Sequence, residues 1–291
     1  MIGNEAAIAR LRGILDRKRP AHAYLFSGPE GVGKKRAALD FAQALAAKPT
    51  LIQRPEDKHE ILIAQIHELI RELTYTSAAN RAIVFDDAHR MSEEAMNALL
   101  KTLEEPPDRT LLILVSSVPE RLLGTIRSRC QSIHFAPLPD ADLVRHAKAT
   151  LMLSEEQAAS ASILAEGSIG NLIDLAPKID DLRSTARDLQ SRVLSGETNA
   201  VIEALGKIRD TEQARIDAKR KLRLLTHSLR DDLRSRYGAR PSLASPEFVQ
   251  KLTRLDEDEL IDRIETLVDH ERVIDLNANV GLAVEDALLR M

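Results

Sequence analysis

Tryptophan is absent from the chain, and tyrosine and phenylalanine together supply only 3% of its 291 residues. Its cores must therefore be built from Leu, Ile, Val and Ala, a composition that favours packed helices. Cys130 is the only cysteine, which excludes an internal disulfide and a cysteine-rich zinc site. No apolar run approaches the ~18 residues of a membrane-spanning helix. The opening residues MIGNEAAIARLRG lack the apolar stretch of a secretory leader, so a cytoplasmic protein with no membrane attachment is expected. A net charge of −4 gives no overall attraction to nucleic acid or to an anionic surface, which confines any such contact to a local patch.

What is present is ordinary for a soluble globular protein: 44% hydrophobic and 30% charged residues, in a chain long enough for two or three domains. The most informative stretch is Ala23 to Ala44, AYLFSGPEGVGKKRAALDFAQA. An apolar run, Tyr24-Leu25-Phe26, enters a glycine-rich turn, and Ala37, Ala38, Phe41, Ala42 and Leu45 leave it at helical spacing. Strand, loop and helix in that order are the context of a phosphate-binding loop. Gly28, Gly31 and Gly33 let the backbone wrap with its N–H groups inward, at a helix N-terminus carrying partial positive charge. Lys34 would reach the terminal phosphates. The next residue departs from the pattern, which asks for a Ser or Thr hydroxyl to hold magnesium. Lys35 offers donors and no lone pair, so it cannot bind a metal. Phosphate or nucleotide binding with weak or no metal-assisted hydrolysis is expected; a glycine turn that binds nothing is the alternative.

Arg81 to Phe85 (RAIVF) reads as a buried strand ending in Asp86-Asp87. An acidic pair at the carboxyl end of a central parallel strand lies where ligands sit in such sheets. The first carboxylate would orient magnesium or its waters and the second would polarise the attacking water. Motor ATPases usually carry Glu in the second place; Asp87 is one methylene short, and position matters steeply for such a group. A solvated strand-end turn is the alternative. Thr110 to Val115 is another apolar strand, ending at Ser116-Ser117, where a serine serves either as a phosphate ligand or as a simple cap. In RLLGTIRSRCQ, Arg127 and Arg129 by themselves read as a solvated basic turn. Ile133 to Phe135 is a last short strand.

Helical spacing predicts helices over Ile2 to Lys18, from the loop to about Ala47, over Ile61 to Leu73 and over Ser92 to Leu103, with a polar connection from Lys48 to Lys58. Pro137-Leu138-Pro139 marks a domain boundary. Beyond it only helices are predicted: Asp142 to Leu151, Glu155 to Ala165, Asn171 to Ala176, Asp181 to Leu194, Asn199 to Ile208, Gln213 to Tyr237, Pro246 to Leu252, Glu257 to Leu276 and Val280 to Met291. The Lys- and Arg-rich stretch Arg215 to Arg240 is broken by Asp217, Asp231 and Asp232 and reads as a solvated face, not a DNA site.

Four segments, HAYLFSGPEGVGKK, IVFDDAHRM, NALLKTLEEPP and LLILVSSVPERLLGTIRSRC, together resemble the AAA+ clamp-loader family, and within it the delta-prime subunits of bacterial DNA polymerase III. The resemblance is specific through Leu138 and weaker through EGSIGNLIDLA to LNANVGLAVEDALL, which is similar to the last collar helix of such subunits. It implies an α/β plus all-α fold: an AAA+ P-loop parallel-sheet domain over residues 1–138, a helical lid over 139–178 and a helical collar for oligomerisation over 179–291. It also implies nucleotide-site roles for Gly28, Gly31, Gly33, Lys34, Asp86 and Asp87, and a first-sensor role for Ser117. Ser128-Arg129-Cys130 matches the family's SRC motif, whose arginine reaches the ATP of a neighbouring subunit, so Arg129 becomes an arginine finger acting in trans.

The departures have their own implications. Lys35 in place of the hydroxyl is frequent in delta-prime subunits and unlike the gamma and tau motors; the second-sensor arginine expected near Asn171 is missing, and the four-cysteine zinc module of many relatives is not there. ATP or ADP would bind weakly, with no zinc and no resident metal. The chain alone would have little or no ATPase activity, acting as a stator beside gamma/tau and delta in a hetero-oligomer that loads the sliding clamp on primed DNA. A gamma/tau-like ATPase motor and a stand-alone P-loop kinase are the rival readings.

Overall fold

The computed structural model describes residues 3–17, 20–46, 48–55, 58, 60–75, 79–194, 212–239, 256–275 and 279–290. The helices expected over Asn199 to Ile208 and Pro246 to Leu252 lie outside the described residues. The chain forms two units, Met1–Asp142 with Gly167–Gly170, and Leu143–Glu166 with Asn171–Met291.

The first unit is organised on strand β1 (Ala23–Ser27), all five of whose residues are buried. It pairs in parallel with β4 (Thr110–Ser116) on one edge and β5 (Gln131–His134) on the other. With β2 (Thr50–Ile52) and β3 (Arg81–Phe85) these make a parallel sheet in the order β2-β3-β4-β1-β5. Continuous apolar strands are what a parallel sheet covered on both faces requires. Alternate side chains then serve opposite cores. Leu25, Ile83, Phe85, Leu112 and Leu114 pack with residues of α3 (Ile63–Thr74) and α4 (Glu93–Glu104), among them Ile66, Leu69, Leu99 and Leu103. Tyr24, Phe26, Val84, Ile113 and Val115 pack with Leu11 of α1 (Glu5–Arg17) and with Ala38 and Phe41 of α2 (Lys34–Leu45). The few aromatics are concentrated here: the Tyr24 and Phe41 rings meet edge to face at 5.3 Å, and Phe26 lies 5.4 Å from Phe135. Each such buried ring or branched chain contributes roughly 1.5–3 kcal/mol, so the strand that enters the glycine loop is among the best anchored.

One expectation is corrected. The polar connection from Lys48 to Lys58 contains β2, which pairs with β3 through Thr50, Leu51 and Ile52. Three residues are too few to show a period, and an edge strand has one partner only, so its pattern merges with the flanking loop. The last strand runs from Gln131 to His134, and Phe135 begins the loop beyond it, its N–H donating to the Ser27 carbonyl at 2.8 Å. Ser92 caps α4, accepting from the Ala95 N–H at 3.2 Å as its sequence predicts. A four-residue helix, α5 (Gly124–Arg127), precedes β5.

The helices α6 (Asp140–Thr150), α7 (Glu155–Ala165), α8 (Ile169–Leu175), α9 (Ile179–Leu194), α10 (Glu212–Arg236), α11 (Glu257–Asp275) and α12 (Val280–Leu289) follow. In the second unit Ala218, Leu222, Leu225 and Leu229 of α10 recur at heptad spacing and pack on Leu260, Ile264 and Leu267 of α11 and on Val280, Val284 and Ala287 of α12. Arg223 of α10 pairs with Glu271 and, at 2.6 Å, with Glu166. Among the described residues no helix is long and apolar enough to cross a membrane.

His227 of α10 is set into this bundle, and burial pushes its pKa from 6.5 down to about 4. Its folded pKa lies below its unfolded one, so the stability it permits is complete above pH 6.5 and is lost as pH falls towards 4. Moving from pH 7 to pH 5 is expected to destabilise the wild type by about 2 kcal/mol more than the His227→Gln variant, as read from urea midpoints followed by circular dichroism.

Candidate functional site

The loop leaving β1 is shaped by two glycines that no other residue replaces. Gly28 has φ +137°, and a Cβ on it would lie 2.0 Å from the Phe135 carbonyl oxygen. Gly31 has φ +73°, with the Ser168 Oγ 2.0 Å from where its Cβ would be, and its carbonyl accepts from the Gly170 N–H at 3.1 Å. Gly33 then starts α2 without any side-chain cap, which leaves the first N–H groups of the helix to an acceptor from outside.

Between this loop and the carboxyl end of β3 lies a cavity of about 410 Å³, lined by Gly31, Gly33, Lys34, Lys35, Asp86 and Asp87 among others. That is within the range of small-ligand sites, roughly 300–1,000 Å³. Lys34 is buried, and its Nζ donates to the Pro29 carbonyl at 2.5 Å. Burial lowers its pKa, against the pull of Glu30, Asp87 and Asp86. Asp87 takes a left-handed conformation, φ +48°, which aspartate tolerates better than most residues, and its carboxylate lies 3.8 Å from Arg90 Nε. Asp86 is placed by the edge strand: its N–H donates to the Ile52 carbonyl at 2.8 Å.

Lys35 reaches across the cavity to that same aspartate. Its Nζ lies 2.8 Å from Asp86 Oδ2 and donates to Gln53 Oε1 at 3.3 Å. Gln53 follows β2 directly, and its carbonyl is held by the Gln65 side chain at 3.0 Å. A magnesium ion in this place would need oxygen ligands, yet the position of the hydroxyl is a cation and the first carboxylate is already paired with it. Two like unit charges 4 Å apart repel by about 4 kcal/mol near a protein surface, and a divalent ion doubles that. The residues present do not fit the metal.

The other predicted positions are distributed differently. Ser116 is buried and does the capping, its Oγ accepting from the Val118 N–H at 3.2 Å; Ser117 is half-buried and does not line the cavity. Arg129 does not line it either. It follows α5 on a partly exposed turn, donating to the Thr125 carbonyl at 2.9 Å and to Glu104 Oε1 at 2.6 Å. Cys130 packs against the α3–α4 core, where burial pushes its thiol up to about 12 and leaves it unreactive. Gln53 and Glu104 are the residues that sequence reading missed. Glu104 stood inside the family-like segment NALLKTLEEPP with no role of its own, and Gln53 stood in the supposed connection.

The family described as DNA polymerase III, delta subunit, matches residues 3–58 and 47–139 of the chain. Over 239 residues the chain is 30% identical to DNA polymerase III subunit tau of Escherichia coli, covering 73% of this chain and 36% of that protein. Over 151 residues it is 34% identical to DNA polymerase III subunit delta' of Pseudomonas aeruginosa, covering 43% of this chain and 46% of that protein. The chain thus spans less than half the length of either relative. The solved structure of the Thermotoga maritima RuvB Holliday junction branch migration motor superposes with a TM-score of 0.50 at 17% identity, over 70% of this chain and 82% of that one, a likeness of fold alone.

Because its Cβ would strike a backbone carbonyl, Gly28→Ala is expected to destabilise the first unit by at least about 2 kcal/mol, whatever the ligand state, as measured by thermal unfolding.

Proposed function

Since the chain belongs to the AAA+ clamp-loader family, we propose that it is a delta-prime-type subunit of a DNA polymerase III clamp loader: a non-motor stator that lends Arg129 to the ATP site of its neighbour. Residues 1–138 act as the ATPase-like domain, 139–178 as the lid and 179–291 as the collar that joins it to gamma/tau and delta subunits. In the cytoplasm the assembly opens the sliding clamp and places it on primed DNA.

The observation that carries this choice is the Lys35–Asp86 ion pair at 2.8 Å. Similarity to a tau subunit would suit a motor equally, but a motor needs a metal where this ammonium stands. Gly28, Gly31, Gly33 and Lys34 serve as the nucleotide cradle and Asp86 and Asp87 as the acidic motif; the first-sensor role of Ser117 rests on the family resemblance, since it does not line the cavity. ATP or ADP held there serves structure, not turnover.

Arg129 suits work at a junction between chains. Guanidinium stays charged at every working pH and stabilises charge on a transferring phosphoryl group, worth ~10³–10⁵ in rate where measured in GTPases. In the free subunit it rests on Glu104, whose side chain is 49% exposed. Exposed ion pairs are worth about 0–1 kcal/mol, so a neighbour's phosphate displaces this one readily.

Arg129→Ala is expected to fold and assemble like the wild type. The complex reconstituted with motor subunits, clamp and primed DNA should lose the ATPase contribution of one site, and Arg129→Lys should not restore it, because an ammonium lacks the planar fork. Undiminished turnover of the Arg129→Ala complex in a phosphate-release assay would exclude the finger.

A further inference from the structure

We infer that Lys35 is the built-in cation of the home cavity, and that this site takes a nucleoside polyphosphate free of divalent metal. Metal-free binding presupposes the phosphate cradle proposed above; it does not depend on Arg129.

The geometry supports a site made around an ammonium. A lysine ammonium has three donors in a tetrahedral arrangement. One meets Asp86 Oδ2 at 2.8 Å and a second meets Gln53 Oε1 at 3.3 Å. Both partners are themselves fixed by backbone contacts, Asp86 through its N–H to the Ile52 carbonyl at 2.8 Å and Gln53 through its carbonyl to Gln65 at 3.0 Å. Among the described residues these are the two partners of the ammonium, which leaves it a third donor for a ligand oxygen. A metal ion in a working site bridges a carboxylate on the acidic strand to oxygens of the last phosphates. Lys35 already makes the first half of that bridge from the protein's own side.

Charge is consistent with the same assignment. Lys34, Lys35 and Arg36 line the cavity at the positive end of the α2 dipole and share that lining with Glu30, Asp86 and Asp87, so an anion is met favourably on the α2 side of the cavity. Metal-free ADP carries roughly three negative charges at neutral pH, and its magnesium complex roughly one. The uncomplexed ligand gains from both ammonium groups. The complexed one brings a divalent ion against Lys35 and finds Asp86 already paired. Magnesium in solution should therefore compete for the ligand instead of helping it bind.

The test is isothermal titration of the full chain with ADP, once in excess EDTA and once in excess magnesium, on the wild type, Lys35→Thr and Lys35→Met. Lys35 is 46% exposed in its side chain, so both variants should keep the fold, with circular dichroism as the check. The wild type should bind in EDTA and weaken in excess magnesium. Both variants should lose about tenfold or more in EDTA, the scale of one charge-assisted hydrogen bond. In Lys35→Thr alone magnesium should restore affinity, and bound manganese should become visible by electron paramagnetic resonance once ADP is present. Wild-type affinity that is unchanged or tightened by magnesium would overturn the assignment, as would wild type that binds ADP in neither buffer. Either result leaves the stator reading standing, because that is read separately from the ATPase of the Arg129→Ala complex.

Discussion

Strand β1 is hydrogen-bonded along both edges and buried along its whole length. Its end point is therefore not adjustable, and every part of the cavity is measured from it. The glycine turn begins where the strand stops because the chain must pass the Phe135 carbonyl at a distance that excludes a side chain. The parallel sheet brings the other components to the same end: Gln53 after β2, Asp86 and Asp87 after β3. The ends of β1, β3 and β4 thus line one cavity, through Gly31, Asp86 with Asp87, and Val115, while Gln53 holds Lys35 from beside it, which is how open α/β sheets make sites in general.

Two ion pairs on this scaffold have opposite consequences. Lys35 and Asp86 meet in a concave site where the carboxylate is only 17% exposed while the lysine side chain is 46% exposed, so solvent screening is reduced on the carboxylate's side of the pair. Arg129 and Glu104 meet at the surface with 35% and 49% of their side chains exposed, where water and salt screen the attraction. The first pair closes off one chemistry at home. The second is easily broken. The difference between them lies mainly in the solvation of the carboxylate, 17% exposed in one pair and 49% in the other, not in residue type.

Much of this was legible in the order of residues, for identifiable reasons. Continuous apolar runs such as RAIVF and TLLILV admit few readings between turn signals, and the helices α3 and α4 carry unbroken spacing. The glycine-lysine pattern located the loop, and the lysine after it announced that the metal's hydroxyl was gone. What stayed hidden involves partners far apart in the chain. Thr50-Leu51-Ile52 becomes a strand only because β3 lies beside it, so Gln53 could not be placed beside Lys35. Arg129 and Glu104 are 25 residues apart, and Gly31 meets Gly170 across the loop of an intervening fold. Local patterns carry period and turn chemistry; they do not carry which side chain a long lysine or arginine will find.

That distinction bears on what the glycine signature means. Gly28 is required by Phe135 and Gly31 by Ser168 and Gly170, contacts that belong to the packing of the unit and would be needed with no nucleotide at all. A chain that ceased to hydrolyse ATP would still be held to these glycines by the several kcal/mol that a strained or clashing Cβ takes from the fold. The loop alone is therefore weak testimony to turnover. Lys35 is under no such constraint: its side chain is half exposed on the first turn of α2, and its polar contacts are with Asp86 and Gln53 at the cavity. A position free of packing demands is set by what the cavity must do, so the chemistry of this subunit is read from the residue after the motif more securely than from the motif itself.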